Sequence, residues 1–367
     1  MYAVRLHAFG PAENLVYERA EDPVPGPGQV RITVAAAGVH LLDTVLREGE
    51  SGPFPAPVGL PTVPGREVAG TVESVGEGTD PGLLGKHVVA HLGMAPGGYA
   101  ELAVTEADRL HEIPDGLDAA AAVAMIGTGR TTLGILGFTP LGPDSVVVVT
   151  AAAGGIGTLI VQYARNAGAT VIALAGGPAK VARATDNGAG LALDYTRPDW
   201  PRQAREHLDA AGLRATVVYD SVGGATARAA VDLLGPGGRH VVYGWSGGEP
   251  LTLTASELAE RSITSTSVLG PRMIERGGGL RALETRALAE AAAGRLRPAV
   301  QRFPLAEAAA AHRALETRGT MGKVVLEPCP PRSLGQAAPS PPPRLANAPS
   351  VSRYTVHSSC GRAPSDS

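Results

Sequence analysis

Residues 146–157 read Val-Val-Val-Val-Thr-Ala-Ala-Ala-Gly-Gly-Ile-Gly, an apolar run entering a glycine-rich turn, and a helical stretch follows at 158–167. Glycines in such a turn let the backbone approach a pyrophosphate. The first free N–H groups of the helix then bring the positive end of its dipole to the anion. Set on the pattern Gly-x-Gly-x-x-Gly, Ala152 takes the first position and Gly154 approaches the phosphates. Gly155 and Ile156 complete the loop, and Gly157 lets helix pack closely on strand. A tight turn with no ligand is the plainer reading, but the repeated α/β units that follow argue for a dinucleotide.

The next strand settles which dinucleotide to expect. An NAD site would place Asp or Glu at its end to accept from the ribose 2′-hydroxyl. Here 170–174 is followed by Ala175-Gly176-Gly177-Pro178, without an acid. Lys180 opens the next helix instead, with Arg183 one turn on. A cation there suits a 2′-phosphate, so NADPH is expected over NADH. The alternative leaves both as solvated helix charges. Asp220-Ser221 falls at the C-terminal end of a later strand, where such sheets bind ligands, and is expected to shape the cofactor crevice.

These residues need a frame. Before about residue 120 the chain favours short strands, at 3–6, 29–36, 68–75, 86–89 and 99–104, separated by Gly/Pro turns. From about 145, strands at 146–150, 170–174, 191–194, 216–220 and 239–243 alternate with helical stretches. That alternation predicts right-handed βαβ units and a parallel sheet. A helix at 305–317 and a strand at 323–326 close the pattern.

At 367 residues the chain has room for two domains of roughly 150 residues each. Its net charge of −3 gives no reason to expect nucleic acid or an anionic membrane. No uncharged apolar run approaches the roughly 18 residues of a membrane span, and no basic-then-apolar leader opens the chain. A cytoplasmic protein is expected. Both cysteines, Cys329 and Cys360, follow residue 328, which excludes thiolate zinc sites and disulfides from the body before them. Residues 328–367, with nine prolines and scattered serines, read as a disordered tail.

Several segments together resemble the medium-chain dehydrogenase/reductase superfamily, and within it the zinc-independent quinone oxidoreductases. They are Ala37-Gly38-Val39-His40-Leu41-Leu42-Asp43-Thr44, Pro64-Gly65-Arg66-Glu67-Val68-Ala69-Gly70 and the glycine turn. Val217-Val218-Tyr219-Asp220-Ser221-Val222-Gly223, Gly238-Arg239-His240-Val241-Val242-Tyr243-Gly244 and Gly322-Lys323-Val324-Val325-Leu326 follow in the same order. The resemblance implies an α/β fold: a GroES-like β-rich catalytic domain from 1–124 and 268–327, and a doubly wound Rossmann domain at 125–267. It implies cofactor contacts at Tyr195, at Gly244 and Trp245, and at Lys323, beside those read above at Lys180 and Ser221. It also implies a homodimer joined through a strand at 262–269.

The zinc branch of the superfamily carries Cys where His40 stands and His where Arg66 stands. An arginine has no lone pair to donate, so neither zinc site can be assembled here. The quinone branch usually has Asn at the place of His40, and a Tyr where this chain has Val45. The family's Gly-Leu-Thr segment appears as Gly127-Thr128-Gly129.

Without a metal to polarise a carbonyl, the expected chemistry is hydride transfer from NADPH to an acceptor with its own electron sink, a quinone or an α,β-unsaturated carbonyl. His40 is expected to donate a proton or polar contact, Arg66 to stabilise charge, and Asp43 to orient either. Each has a structural alternative: a packed histidine, a helix cap at Asp43, or an Arg66 pairing with Glu67 or Asp43. Apolar Leu41, Leu42 and Phe54 would suit a hydrophobic acceptor. The alternative function is an NADPH-binding protein without catalysis.

Overall fold

The computed structural model describes residues 1–52, 59–93 and 95–329. Phe54 and the tail from residue 330 lie outside the described residues. The N-terminal part runs β1 (Tyr2–Leu6), β2 (Leu15–Arg19), β3 (Gln29–Val39), α1 (Leu41–Arg47), β4 (Glu67–Val75), β5 (His87–His91), β6 (Leu102–Glu106) and β7 (His111–Glu112). Helices α2 (Ala119–Ala124) and α3 (Arg130–Leu136) follow, joined by a π-helical turn at Met125–Gly129.

The alternating part comprises β8 (Val146–Val149), α4 (Gly155–Asn166), β9 (Thr170–Ala175), α5 (Pro178–Asp186), β10 (Leu191–Asp194), α6 (Trp200–Ala210) and β11 (Ala215–Asp220). It continues through α7 (Gly224–Val231), β12 (Leu234–Val242), α8 (Ala255–Glu260) and β13 (Thr264–Ser267). Last come α9 (Pro271–Arg276), α10 (Leu280–Ala292), β14 (Val300–Pro304), α11 (Ala308–Glu316) and β15 (Lys323–Glu327).

Six strands form one parallel sheet in the order β10-β9-β8-β11-β12-β13. This is the doubly wound order that reverses beside its first strand, here between β8 and β11, where such sheets bind ligands. All four valines of β8 are buried, as a central strand covered on both faces requires. The second large sheet is built from both ends of the chain, β14-β15-β3-β4-β5-β7 with β6 also on β3. β1 and β2 pair separately.

The Rossmann strands fall within a residue or two of the expected ones, except that β12 starts earlier at Leu234. The expected helix at 305–317 begins as a 3-10 turn, Leu305–Glu307, before α11. β2 is absent from the sequence reading because Leu-Val-Tyr-Glu-Arg does not alternate in polarity. The helical run Ala119–Leu136 was also not anticipated. It is long and apolar enough to cross a membrane, but 72% of it is buried within the protein, between the two sheets' helices and strands.

Register, rather than proximity in sequence, assembles the site. β15 pairs antiparallel with β3, Val324 opposite Val39 and Val325 opposite Gly38. One step further sets Lys323 against His40. β3 pairs with β4, Ala37 opposite Val68, so Glu67 comes to face Gly38. Three adjacent strands thus deliver a base, an acid and an ammonium to one point.

Candidate active site

At that point His40 Nε2 lies 2.6 Å from Glu67 Oε1 and 2.8 Å from Lys323 Nζ. Lys323 Nζ is also 2.8 Å from Glu67 Oε2. Glu67 is fully buried, Lys323 nearly so, and a third of the His40 side chain remains exposed. Burial alone would raise the Glu67 carboxyl. The charges of His40 and Lys323 override it and hold the group well below the usual carboxylate range. Two glycines make the space: a Cβ at Gly127 would meet Glu67 Oε1 at 1.5 Å, and one at Gly38 would meet Oε2 at 2.4 Å.

His40 is the N-cap of α1, and Asp43 stands at its N3 position. The Asp43 carboxylate accepts from the His40 amide at 2.9 Å and from the Tyr99 hydroxyl at 2.9 Å. The helix begins at Leu41, not near Thr44, so Asp43 is not its N-cap but the N3 partner whose carboxylate holds the His40 amide and fixes the chain direction there. With its only proton directed to Asp43, the Tyr99 oxygen accepts from His312 Nε2 at 3.2 Å. Burial lowers His312 to about 4. Arg66 is half-buried, and that burial lowers its pKa against the charges of Asp43 and Glu67. It lines a small pocket of about 20 Å³ with Asp43, Leu46, Arg47, Thr62 and Pro96.

The glycine turn adjoins this cluster. Gly154 is the N-cap of α4. The first amide of the helix with a main-chain acceptor is Thr158, bonded to Gly154 O at 3.0 Å, so the Gly155, Ile156 and Gly157 amides precede the hydrogen-bonded turns. A Cβ at Gly157 would meet Ala151 O at 2.4 Å and Ala152 Cα at 2.8 Å, which is the close packing expected of the third glycine. Ala152, in the first position of the pattern, is a buried support of the turn: it is 0% exposed, and its amide donates to Leu174 O. The left-handed residue of the turn is its neighbour Ala151, at φ 47°.

Two links tie turn to cluster. Gly322 N donates to Ala153 O at 2.8 Å, placing the start of β15 on the turn. On the π-turn, Gly127 faces Glu67 while the next residue, Thr128, has its methyl 3.0 Å from where a Gly155 Cβ would stand. The Lys323 ammonium is committed to Glu67 and His40. Its main chain, not its side chain, is what lies beside the turn.

At the far end of the crevice Lys180 Nζ donates to Arg318 O at 2.6 Å. Burial, then the Arg318 charge, lowers the Lys180 pKa. The Tyr195 hydroxyl lies 3.2 Å from a Cβ built on Gly176, over the end of β9. Arg318, in left-handed conformation at φ 57°, donates to Ser246 O. A nearby carboxylate, Asp194, is spent on the amides of Gly177 and Thr196 and the Thr196 hydroxyl. Ser221, Gly244 and Trp245 meet where the loops after β11 and β12 are stitched together, by Tyr243 N to Asp220 O and Ser246 N to Ser221 O, each 2.8 Å. Trp245 is 53% exposed there. Arg183 lies away from this group, beside Arg165 and Arg297.

Residues 26–115 match the alcohol dehydrogenase GroES-like domain family, and residues 155–280 the zinc-binding dehydrogenase family. A quinone oxidoreductase of Pseudomonas aeruginosa is 34% identical, over 89% of this chain and 99% of that one. The chain belongs to the quinone oxidoreductase branch of the medium-chain dehydrogenase/reductase superfamily. A 2-haloacrylate reductase of a Burkholderia species is also 34% identical, over 89% and 98% of the two chains. The structure of Escherichia coli quinone oxidoreductase complexed with NADPH superposes with a TM-score of 0.76 at 28% identity, covering 89% of this chain and all of that one.

For this oxidoreductase the zinc in the second family's description does not fit the residues present. The Lys323 ammonium, which donates and cannot ligate, contacts both His40 and Glu67, and Arg66 has no lone pair. Two site residues escaped the sequence reading. Glu67 was read only as a motif residue and a structural partner for Arg66, although a charge heading the apolar run Val68-Ala69-Gly70 signals a buried partner. Arg318 carried no signal, since its position depends on β15 returning to the glycine turn.

Proposed function

The chain is an NADPH-dependent oxidoreductase, and we propose that its acceptor is a quinone or an α,β-unsaturated carbonyl compound. The observation that carries this reading is the adjacency of the glycine turn and the His40–Glu67–Lys323 cluster, one residue apart on the π-turn. The Gly155–Gly157 amides would hold the pyrophosphate at the start of α4. Lys180, Tyr195 and Arg318 would hold the 2′-phosphate, with Ser221, Gly244 and Trp245 along the crevice. Bound there, NADPH supplies a hydride to the acceptor.

The protein's own share is polar. His40, partly exposed above a fully buried carboxylate, is placed to give the reduced acceptor a proton. Arg66 bears on the developing negative charge from the adjoining pocket. Asp43 orients His40 through its amide. Leu41, 51% exposed at the start of α1, offers the acceptor an apolar wall. The reading includes a cytoplasmic homodimer, joined through β13 at the open edge of the parallel sheet.

Substituting His40→Ala tests the assignment. Turnover should fall by about 10²-fold or more while NADPH still binds. Unchanged turnover would remove His40 from the chemistry.

A further inference from the structure

Arg183, left out of the cofactor crevice, faces a cavity of about 440 Å³ on the other side of α5. The cavity lies between the C-terminal ends of α4 and α5 and the loop that follows α10. Arg165, Arg183 and Arg297 line it, one from each of these elements. None of the three makes an ion pair or a side-chain hydrogen bond among the described residues. Arg295, also on the rim, is neutralised by Glu290, to which it donates at 2.7 and 3.0 Å. Of the described residues that line the cavity, Asp186 alone is acidic.

Cations gathered without partners repel one another. The negative end of a helix dipole offsets this for Arg165 and Arg183, which stand in the last turns of α4 and α5. It does nothing for Arg297, which is on a loop. Nor does it account for Asn187. The Gln162 amide accepts from Arg297 N at 2.7 Å and donates to Arg297 O at 2.9 Å, so its orientation is fixed. Its Nε2 then donates to Asn187 Oδ1 at 3.0 Å. That leaves Asn187 Nδ2 buried with no acceptor, on a residue that lines the cavity. A buried donor left this way is costly, and a ligand oxygen would satisfy it.

We propose that this cavity binds a small phosphorylated molecule through its phosphate or diphosphate group, at a site separate from the NADPH crevice. Guanidinium forks match phosphate oxygens in pairs, and the amide of Asn187 adds a further donor. The volume falls within the roughly 300–1,000 Å³ of small-ligand pockets. The donors are held in place before any ligand arrives. A Cβ at Gly188 would meet Arg165 Cδ at 2.1 Å, so the glycine makes room for the arginine stem. The loop is bound to α4 by Gln162 and by Asn166, whose Nδ2 donates to Arg295 O at 2.7 Å. Lys180, three residues before Arg183, bonds instead to Arg318 O across the crevice and does not line this cavity. The inference is independent of which acceptor the enzyme reduces.

Calorimetric titration of inorganic pyrophosphate into the full chain tests it, with the protein saturated with NADPH so that the crevice is filled. One saturable site should appear at a physiological ionic strength of about 0.15 M. Arg183→Ala and Arg297→Ala should each weaken it by about 10-fold or more, the worth of a charge-assisted hydrogen bond. Both side chains are exposed, so the unfolding midpoint and the NADPH affinity should not move. No saturable binding would overturn the proposal, as would unchanged affinity in the Arg183→Ala/Arg297→Ala double variant. Competition between pyrophosphate and NADPH would place the anion in the crevice and overturn it equally.

Discussion

Lys323 and Glu67 form an ion pair 2.8 Å long in which neither side chain meets bulk water, at 4% and 0% exposure. Two charges out of water stabilise a fold only while both are present. Glu67→Gln should cost about 3–5 kcal/mol in denaturant unfolding, because it leaves the ammonium buried and uncompensated. Adding Lys323→Met should recover most of that loss. Additive losses in the double variant would mean the pair is not coupled.

Gly127 tests the same space from the other side. A methyl there would overlap Glu67 Oε1, and the residue is held in a buried helical turn that cannot retreat. Gly127→Ala should destabilise by about 1–3 kcal/mol through overpacking. The same alanine placed in a Glu67→Ala background should cost far less, and equal unfolding midpoint shifts in both backgrounds would refute the contact.

Acid stability should be governed in part by His312. Burial holds it at about 4, so between pH 4 and 6.5 the unfolded chain binds its proton and the folded chain does not. The stability it contributes is complete above about pH 6.5 and is lost as pH falls toward 4. That loss should be about 3 kcal/mol and should vanish from the pH profile of His312→Gln. His91, also lowered to about 4 by burial, should add a second contribution over the same range.

Cofactor choice should depend on two cations far apart in sequence. Lys180→Ala or Arg318→Ala should weaken NADPH binding by roughly 10- to 100-fold, the worth of one charge-assisted hydrogen bond. NADH binding should stay nearly unchanged. Fluorescence titration with both nucleotides reads the difference, and equal losses for NADH would move these residues away from the 2′-phosphate.

What the sequence revealed follows the range of its signals. The β8–α4 unit was legible because four valines, three glycines and a helix are contiguous, and each demands the same geometry. The absence of an acid after Leu174 was legible for the same reason. The His40–Lys323 contact was not, because 283 residues separate its partners and only the pairing of β15 with β3 joins them. Asp43 was legible as either cap or orienter; the helix starts at Leu41, so Asp43 sits inside it at N3, where its carboxylate takes the His40 amide and the Tyr99 hydroxyl. The left-handed residue of the turn, Ala151, was not legible, because the pattern fixes spacing and not backbone angle.

The most direct measurement is a panel of quinones and α,β-unsaturated carbonyls assayed for nucleotide oxidation with NADPH and with NADH. The account predicts turnover of at least one acceptor, with kcat/KM at least about 10-fold higher for NADPH. Tight NADPH binding without oxidation by any acceptor would contradict it and leave a nucleotide-binding protein that performs no catalysis.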